Sequence, residues 1–135
     1  MLDKKVIFCA TVSNEEKKLG IFFDLIKRLS SLFKENYTIL IESDSTDNTL
    51  NLISEKMKNK KGEFHSLGNL KNKYKERSKR LEICRNKYLD IINKNQELKK
   101  FDFMIVLDAD NVNELLSPEA VNKSLFDLNS ILCFF

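Results

Sequence analysis

Phe103-Met104-Ile105-Val106-Leu107-Asp108-Ala109-Asp110 is the stretch that decides the fold. Five apolar residues stand in a row with no polar residue between them. A strand that alternates would be wet on one face; an unbroken run this short belongs to a strand buried on both faces, as in a parallel sheet covered by helices. Two more runs share this character. Val6-Ile7-Phe8-Cys9-Ala10 lies near the start, and Tyr37-Thr38-Ile39-Leu40-Ile41 follows it. Residues 64–67 form a weaker candidate, and residues 131–135 are expected to begin a last strand. The segments between the runs have helical spacing. Leu19, Phe22, Phe23, Ile26, Leu29 and Phe33 mark the first helix, opened by a capping box of Ser13 and Glu16. Ser45, Thr46 and Asp47 can cap a second helix through Leu50, Ile53 and Met57, which the cations and glycine of residues 58–62 would close. Residues 76–93 form a third helix with Leu81, Cys84, Tyr88 and Ile91 inward, and Ser117-Pro118 starts a fourth. Strands that alternate with helices predict an α/β fold with a mostly parallel sheet flanked by helices.

Composition narrows the class without naming a function. The 135 residues make one ordinary domain, read as a single unit over 1–135. Charged residues are 32% and apolar residues 42% of the chain, the balance of a globular protein and not of a disordered one. The net charge of +3 is too small to argue for nucleic acid, though it suits a polyphosphate. The apolar run after Lys4 and Lys5 is too short for a signal peptide, and no run reaches transmembrane length. Cys9, Cys84 and Cys133 are odd in number and far apart, without metal-type spacing; Cys9 and Cys133 sit in apolar runs as core residues. Such cysteines fit a reducing cytoplasm.

The chemistry gathers where the strands end. Thr11-Val12-Ser13-Asn14 follows the first run, Glu42-Ser43-Asp44-Ser45-Thr46-Asp47-Asn48-Thr49 the second, and Asp108-Ala109-Asp110-Asn111 the late one. In a parallel sheet these three clusters meet on one crevice. Taken one at a time they are ordinary helix caps; it is their shared position that points to a site. Asp108 and Asp110 stand one residue apart, and two carboxylates placed together repel unless a cation or proton lies between them. Oxygen ligands of this kind suit Mg2+, Mn2+ or Ca2+, of which Mg2+ and Mn2+ often keep positions for water and for substrate phosphates.

These motifs also carry a resemblance. Residues 41–49, IESDSTDNT, resemble the VDDGSTDNT segment of glycosyltransferase family 2 and related GT-A enzymes, and MIVLDADN over 104–111 looks like their metal-binding strand end with its Asp-any-Asp (DxD) motif. RLEICRNKYL over 80–89 resembles the helix that carries an Arg and then an Arg-Asn pair. The loop and helix are also similar to those of fungal capsule-associated mannosyltransferases. The likeness spans roughly residues 5–112. It implies the GT-A, nucleotide-diphospho-sugar transferase fold, and a glycosyltransferase domain that binds its donor through Mn2+ or Mg2+ and passes the sugar to a glycan or lipid-linked acceptor in polysaccharide biosynthesis. The nucleotide-sugar-binding residues it implies are Thr11, Glu42, Asp44, Arg80, Asp108 and Asp110, with Asp110 and Asp108 on the metal, and with Arg85 and Asn86 of second rank. Ser43 replaces a second Asp of the family's loop and Asp44 replaces a Gly, so the contacts to the base depart from the family's pattern.

GT-A enzymes place the catalytic base and the acceptor site after the metal strand. The chain stops about 25 residues past Asp110, so the sequence reading is of a truncated domain whose acceptor half is missing, with no catalytic base to name. Hexosyltransferase activity is expected only if the chain is complete or complemented by another; the alternative is a non-catalytic nucleotide-sugar-binding protein or an inactive fragment of a transferase. Residues 71–80 hold six cations: Lys71, Lys73, Lys75, Arg77, Lys79 and Arg80. They read as a solvated face, as a mobile loop over the diphosphate, or as a peripheral membrane contact of a cytoplasmic protein. No aromatic stacking face accompanies them, which argues against nucleic acid. His65, the single histidine, reads as a strand or loop residue.

Overall fold

In the computed structural model of the chain, residues 1–110, 113–127 and 132–133 are described. The order of elements is β1 (Leu2–Val12), α1 (Leu19–Ser30), β2 (Phe33–Glu42), α2 (Thr49–Met57), β3 (Gly62–Ser66), α3 (Arg77–Lys94), a short 3-10 turn (Leu98–Lys100), β4 (Phe103–Val106), α4 (Pro118–Asp127) and β5 (Leu132–Cys133). The strands form one sheet in the order β3-β2-β1-β4-β5, and every neighbouring pair is parallel. The expected α/β architecture is therefore present, with a sheet that is wholly rather than mostly parallel among the described strands. Of the strand expected at 131–135, only Leu132 and Cys133 are described; the rest, and the side chain of Cys133, lie outside the described residues. Among the described residues no helix is long and apolar enough to cross a membrane.

Two hydrophobic layers sandwich the sheet. Val6, Phe8, Ala10 and Val12 of β1 face α1, α2 and α4, while Ile7 and Cys9 face α3 with Ile39 and Ile41 of β2. This is why the apolar runs lack alternation: both sides of each strand are covered. α1 buries Leu19, Phe22, Phe23, Leu25, Ile26 and Leu29. Burial at roughly 1.5–3 kcal/mol per side chain outweighs a missing cap worth about 1 kcal/mol, and the cap is indeed missing. The proposed box of Ser13 and Glu16 does not form. α1 begins at Leu19 behind Lys18, without a side-chain cap, because Glu16 instead accepts a bond from the Asn48 N–H across the loops. The start of α4 is as expected, with the Ser117 hydroxyl accepting from the Ala120 N–H. Gly62 opens β3 rather than ending α2. A Cβ there would stand 2.2 Å from the Thr38 carbonyl oxygen, so only glycine allows β3 to approach β2 this closely.

The topology sets the place for ligands. From β1 the chain winds outward through β2 to β3, then returns past β1 to lay down β4 and β5 on the other side. Connections leave β1 and β4 in opposite directions, and the gap between them at the carboxyl ends is the switch point where open α/β sheets hold ligands.

Candidate functional site

A cavity of about 320 Å³ lies at this carboxyl edge. Thr11 and Ser13 from the end of β1, Ser43 and Asp44 from the end of β2, and Arg80 and Cys84 from α3 line it. Lys71, Arg77 and Glu15 add charge to its walls. Of the residues expected at the site, the structure thus brings Thr11, Asp44 and Arg80 into one cavity.

Asp108 and Asp110 follow β4 directly. The Asp108 N–H donates to the side-chain oxygen of Asn113, 3.0 Å away, so a buried asparagine fixes the turn behind the acid pair. Burial pushes the Asp108 carboxyl above its ordinary range, the charge of Asp110 pushes it further, and Arg85 and Arg77 pull it part of the way back. The two acids therefore do repel, and the two arginines of α3 stand near enough to be felt. Asp110 is exposed. Asn111 lies outside the described residues. Among the described residues no group of three or more His, Cys, Asp or Glu side chains is placed to hold a metal ion by itself.

Glu42 ends β2 and lies outside the lining of this cavity. Its carboxylate is buried and accepts bonds from the Ser45 N–H at 2.9 Å and from the Ser66 hydroxyl. It faces a neighbouring cavity of about 290 Å³ between the β2–α2 and β3–α3 loops. Both oxygens are engaged with the protein's own groups, so Glu42 organises the two loops. Asp44 takes the left-handed backbone conformation, at φ 62°. Glycine occupies that region without cost, and glycine is what the resembled loop carries there. The Asp44 side chain and amide compensate by bonding to the chain around residues 68–71. Arg85 and Asn86 are exposed on α3, outside the lining of the cavity.

The Ser45-Thr46-Asp47-Asn48-Thr49 run, prominent in the sequence, is spent on the neighbouring loop. The Thr46 N–H donates to the Asn14 side-chain oxygen at 2.7 Å, and the Asn14 N–H donates to the Ser45 hydroxyl at 3.1 Å. The Glu15 N–H donates to the Thr49 hydroxyl at 2.9 Å, and Asp47 accepts from the Thr49 N–H at 2.9 Å. Thr49 is fully buried. These bonds hold Glu15 at the cavity wall. Burial raises the Glu15 carboxyl above its ordinary range, with Lys18 opposing and Asp110 and Asp47 adding to it. Sequence reasoning passed over Glu15 by assigning its neighbours to a helix cap. It also left Arg77 and Lys71 in an undifferentiated basic segment. Their proximity to the site depends on how residues 68–76 fold, and no spacing rule reveals that.

The cavity lining thus carries Lys71, Arg77 and Arg80 together with Glu15 and Asp44. Asp108 and Asp110 are not part of that lining but lie close by, Asp108 near enough to feel Arg77 and Asp110 near enough to be felt by Glu15. No protein-family model matches the chain, and no curated protein or solved structure matches it.

Proposed function

We propose that the chain binds a nucleoside-diphosphate sugar in this crevice through a divalent cation, as the donor-binding part of a GT-A type glycosyltransferase. The observation that carries the reading is a cationic cavity lining at the carboxyl ends of β1 and β2 with the acid pair at the end of β4 close by. A diphosphate alone would be repelled by Asp108 and Asp110, and a metal ion alone would find too few protein ligands. Together they complement both sets of charges. Asp110, with Asp108 beside it, supplies two carboxylate oxygens. Mg2+ and Mn2+ accept so sparse a protein set because phosphate oxygens and water fill the rest of their shell. Such an ion would neutralise the charge that builds on a departing diphosphate. Cations of the cavity lining offset the remaining charge, and the planar fork of an arginine such as Arg77 suits phosphate oxygens. The IESDSTDNT and LDAD resemblances of the sequence support the same reading. The groups identified are all binding groups, and they serve a nucleotide-sugar-binding protein without transfer equally well.

The test is thermal unfolding with a panel of nucleoside mono- and diphosphates in Mn2+, Mg2+ or chelator. A ligand that binds only the folded state raises its melting temperature. The reading expects the rise with a diphosphate and metal together, and a much smaller one when either is omitted. Equal stabilisation in chelator would contradict it.

A further inference from the structure

Arg80 lines the crevice, yet its guanidinium already makes contacts within the protein. Nη1 donates to the Tyr74 carbonyl oxygen at 2.9 Å and to the Lys75 carbonyl oxygen at 2.6 Å. Its Nε stands 3.9 Å from an Asp44 carboxylate oxygen. The other Asp44 oxygen accepts from the Lys71 N–H at 2.8 Å, and the Asp44 N–H donates to the Gly68 carbonyl oxygen at 2.9 Å. Four points on one segment, at residues 68, 71, 74 and 75, are therefore tied to two side chains and one amide. The segment carries Lys71 into the crevice wall and leads into the first turn of α3, where Arg77 joins it. Lys71 and Arg77 are exposed, and their cationic ends appear in none of the ion pairs found among the described residues. A buried aspartate in a left-handed backbone conformation is costly, and the bonds to Gly68 and Lys71, with Arg80 beside the carboxylate, offset that cost.

We infer that Asp44 and Arg80 form a latch that positions the basic segment, and that Lys71 and Arg77, rather than Arg80, are the residues that contact the phosphates of the ligand. The inference rests on the reading of the crevice as a nucleoside-diphosphate site. It separates two jobs that a cation count alone would merge. Arg80 is a positioning residue that acts on the ligand through Lys71 and Arg77. The guanidinium suits that job because Nη1 meets both carbonyls while a second nitrogen, Nε, stays near the Asp44 carboxylate, and an ammonium has only one nitrogen to offer.

Two measurements on the full chain test it. Hydrogen exchange without ligand reads the latch directly. In Asp44→Asn and Arg80→Lys, amides of residues 69–76 should exchange at least about tenfold faster while those of β1, β2 and the middle of α3 keep their protection. Unchanged exchange at 69–76 overturns the latch, and a uniform rise through the core overturns it too, since it would mark Asp44 and Arg80 as general stability residues. Calorimetric titration with GDP and with UDP, in Mn2+, reads the phosphate contacts. Lys71→Ala and Arg77→Ala should each weaken the better of the two ligands about tenfold and flatten its dependence on salt. Arg80→Lys keeps the charge and should also weaken binding, but added to the Lys71→Ala, Arg77→Ala pair it should cost little more than that pair alone, because the latch acts only through those two contacts. Additive losses would show that Arg80 touches the ligand itself and overturn the inference. If the parent binds neither diphosphate, the reading of the crevice fails, and the exchange experiment still decides the latch.

Discussion

The two ends of the sheet handle charge in opposite ways. At the amino end, acids and lysines pair at the surface: Asp3 with Lys34, Asp102 with Lys4, and Glu35 with Lys5 and Lys61. Each of these carboxyls lies below its ordinary range. Lys34 accounts for Asp3 and the two lysines for Glu35, while the Lys5 N–H, with Lys4, accounts for Asp102. At the carboxyl end, Glu42 and Asp44 are buried on backbone amides, and Asp108 is pushed upward by burial and by Asp110. Charge is neutralised locally at one end. At the other, Arg80 stands beside Asp44, while Lys71 and Arg77 line the cavity and Asp108 and Asp110 lie close together near it. Stability alone would not favour the second arrangement, since a repelling pair costs free energy; the arrangement is intelligible when something charged is brought to it.

The largest effect should come from removing the acid pair. Asp108→Asn with Asp110→Asn should lower metal-dependent diphosphate affinity by about a hundredfold or more, since even residues that only support a metal ligand cost roughly 10–100-fold. The fold should survive, and the melting temperature of the free protein should hold or rise as the repulsion disappears. A large fall in that temperature would break the contrast, because the pair would then be structural.

Next in size is Thr49→Val. The substitution keeps the shape and removes the hydroxyl that meets the Glu15 N–H and Asp47. Only the part-buried Glu15 N–H loses its partner, since the exposed Asp47 keeps the Thr49 N–H, so the change should cost about 1 kcal/mol in denaturant unfolding. A cost near zero would mean that the loop network at the carboxyl end contributes no more than the surface pairs do.

The smallest effect belongs to the amino end. Glu35→Gln should change the melting temperature little at pH 7, because an exposed ion pair is screened by solvent and costs side-chain entropy. Its pH dependence has a definite sign. Glu35 is held down to about 2 by Lys5 and Lys61, so what it contributes is present above the ordinary glutamate pKa and is lost as pH falls through the depressed one. The small difference between parent and Glu35→Gln should therefore shrink between about pH 4 and pH 2. A difference that grows with acid would reverse the assignment.

The same contrast explains what the sequence made legible. The runs at 6–10, 37–41 and 103–107 announced three strands because both their faces are covered. The polar starts of β1 and β2 stayed hidden, since Leu2, Asp3, Lys4, Lys34 and Glu35 lie at the wet amino end, where pairing with a neighbour and not hydrophobicity makes the strand. At the carboxyl end the positions of Asp108, Asp110, Thr11 and Asp44 followed from the strand ends. The use of each side chain did not. Glu42 turned to Ser45 and Ser66, Arg80 to the carbonyls of 74 and 75, and Glu16 to Asn48, because each found a partner in a loop remote in sequence. Hydrogen bonds of that kind depend on how loops pack, and periodicity carries no trace of them.

The central claim is that the acid pair holds a metal ion for a diphosphate ligand, and calorimetric titration of Asp110→Asn tests it most directly. The substitution preserves shape and removes one negative ligand. With Mn2+ present, the better-binding nucleoside diphosphate should bind the parent at least about tenfold more tightly than the variant. In chelator both should bind weakly and alike. Equal affinity of parent and Asp110→Asn in Mn2+ would contradict the account and leave the acid pair as a strand end that caps a turn.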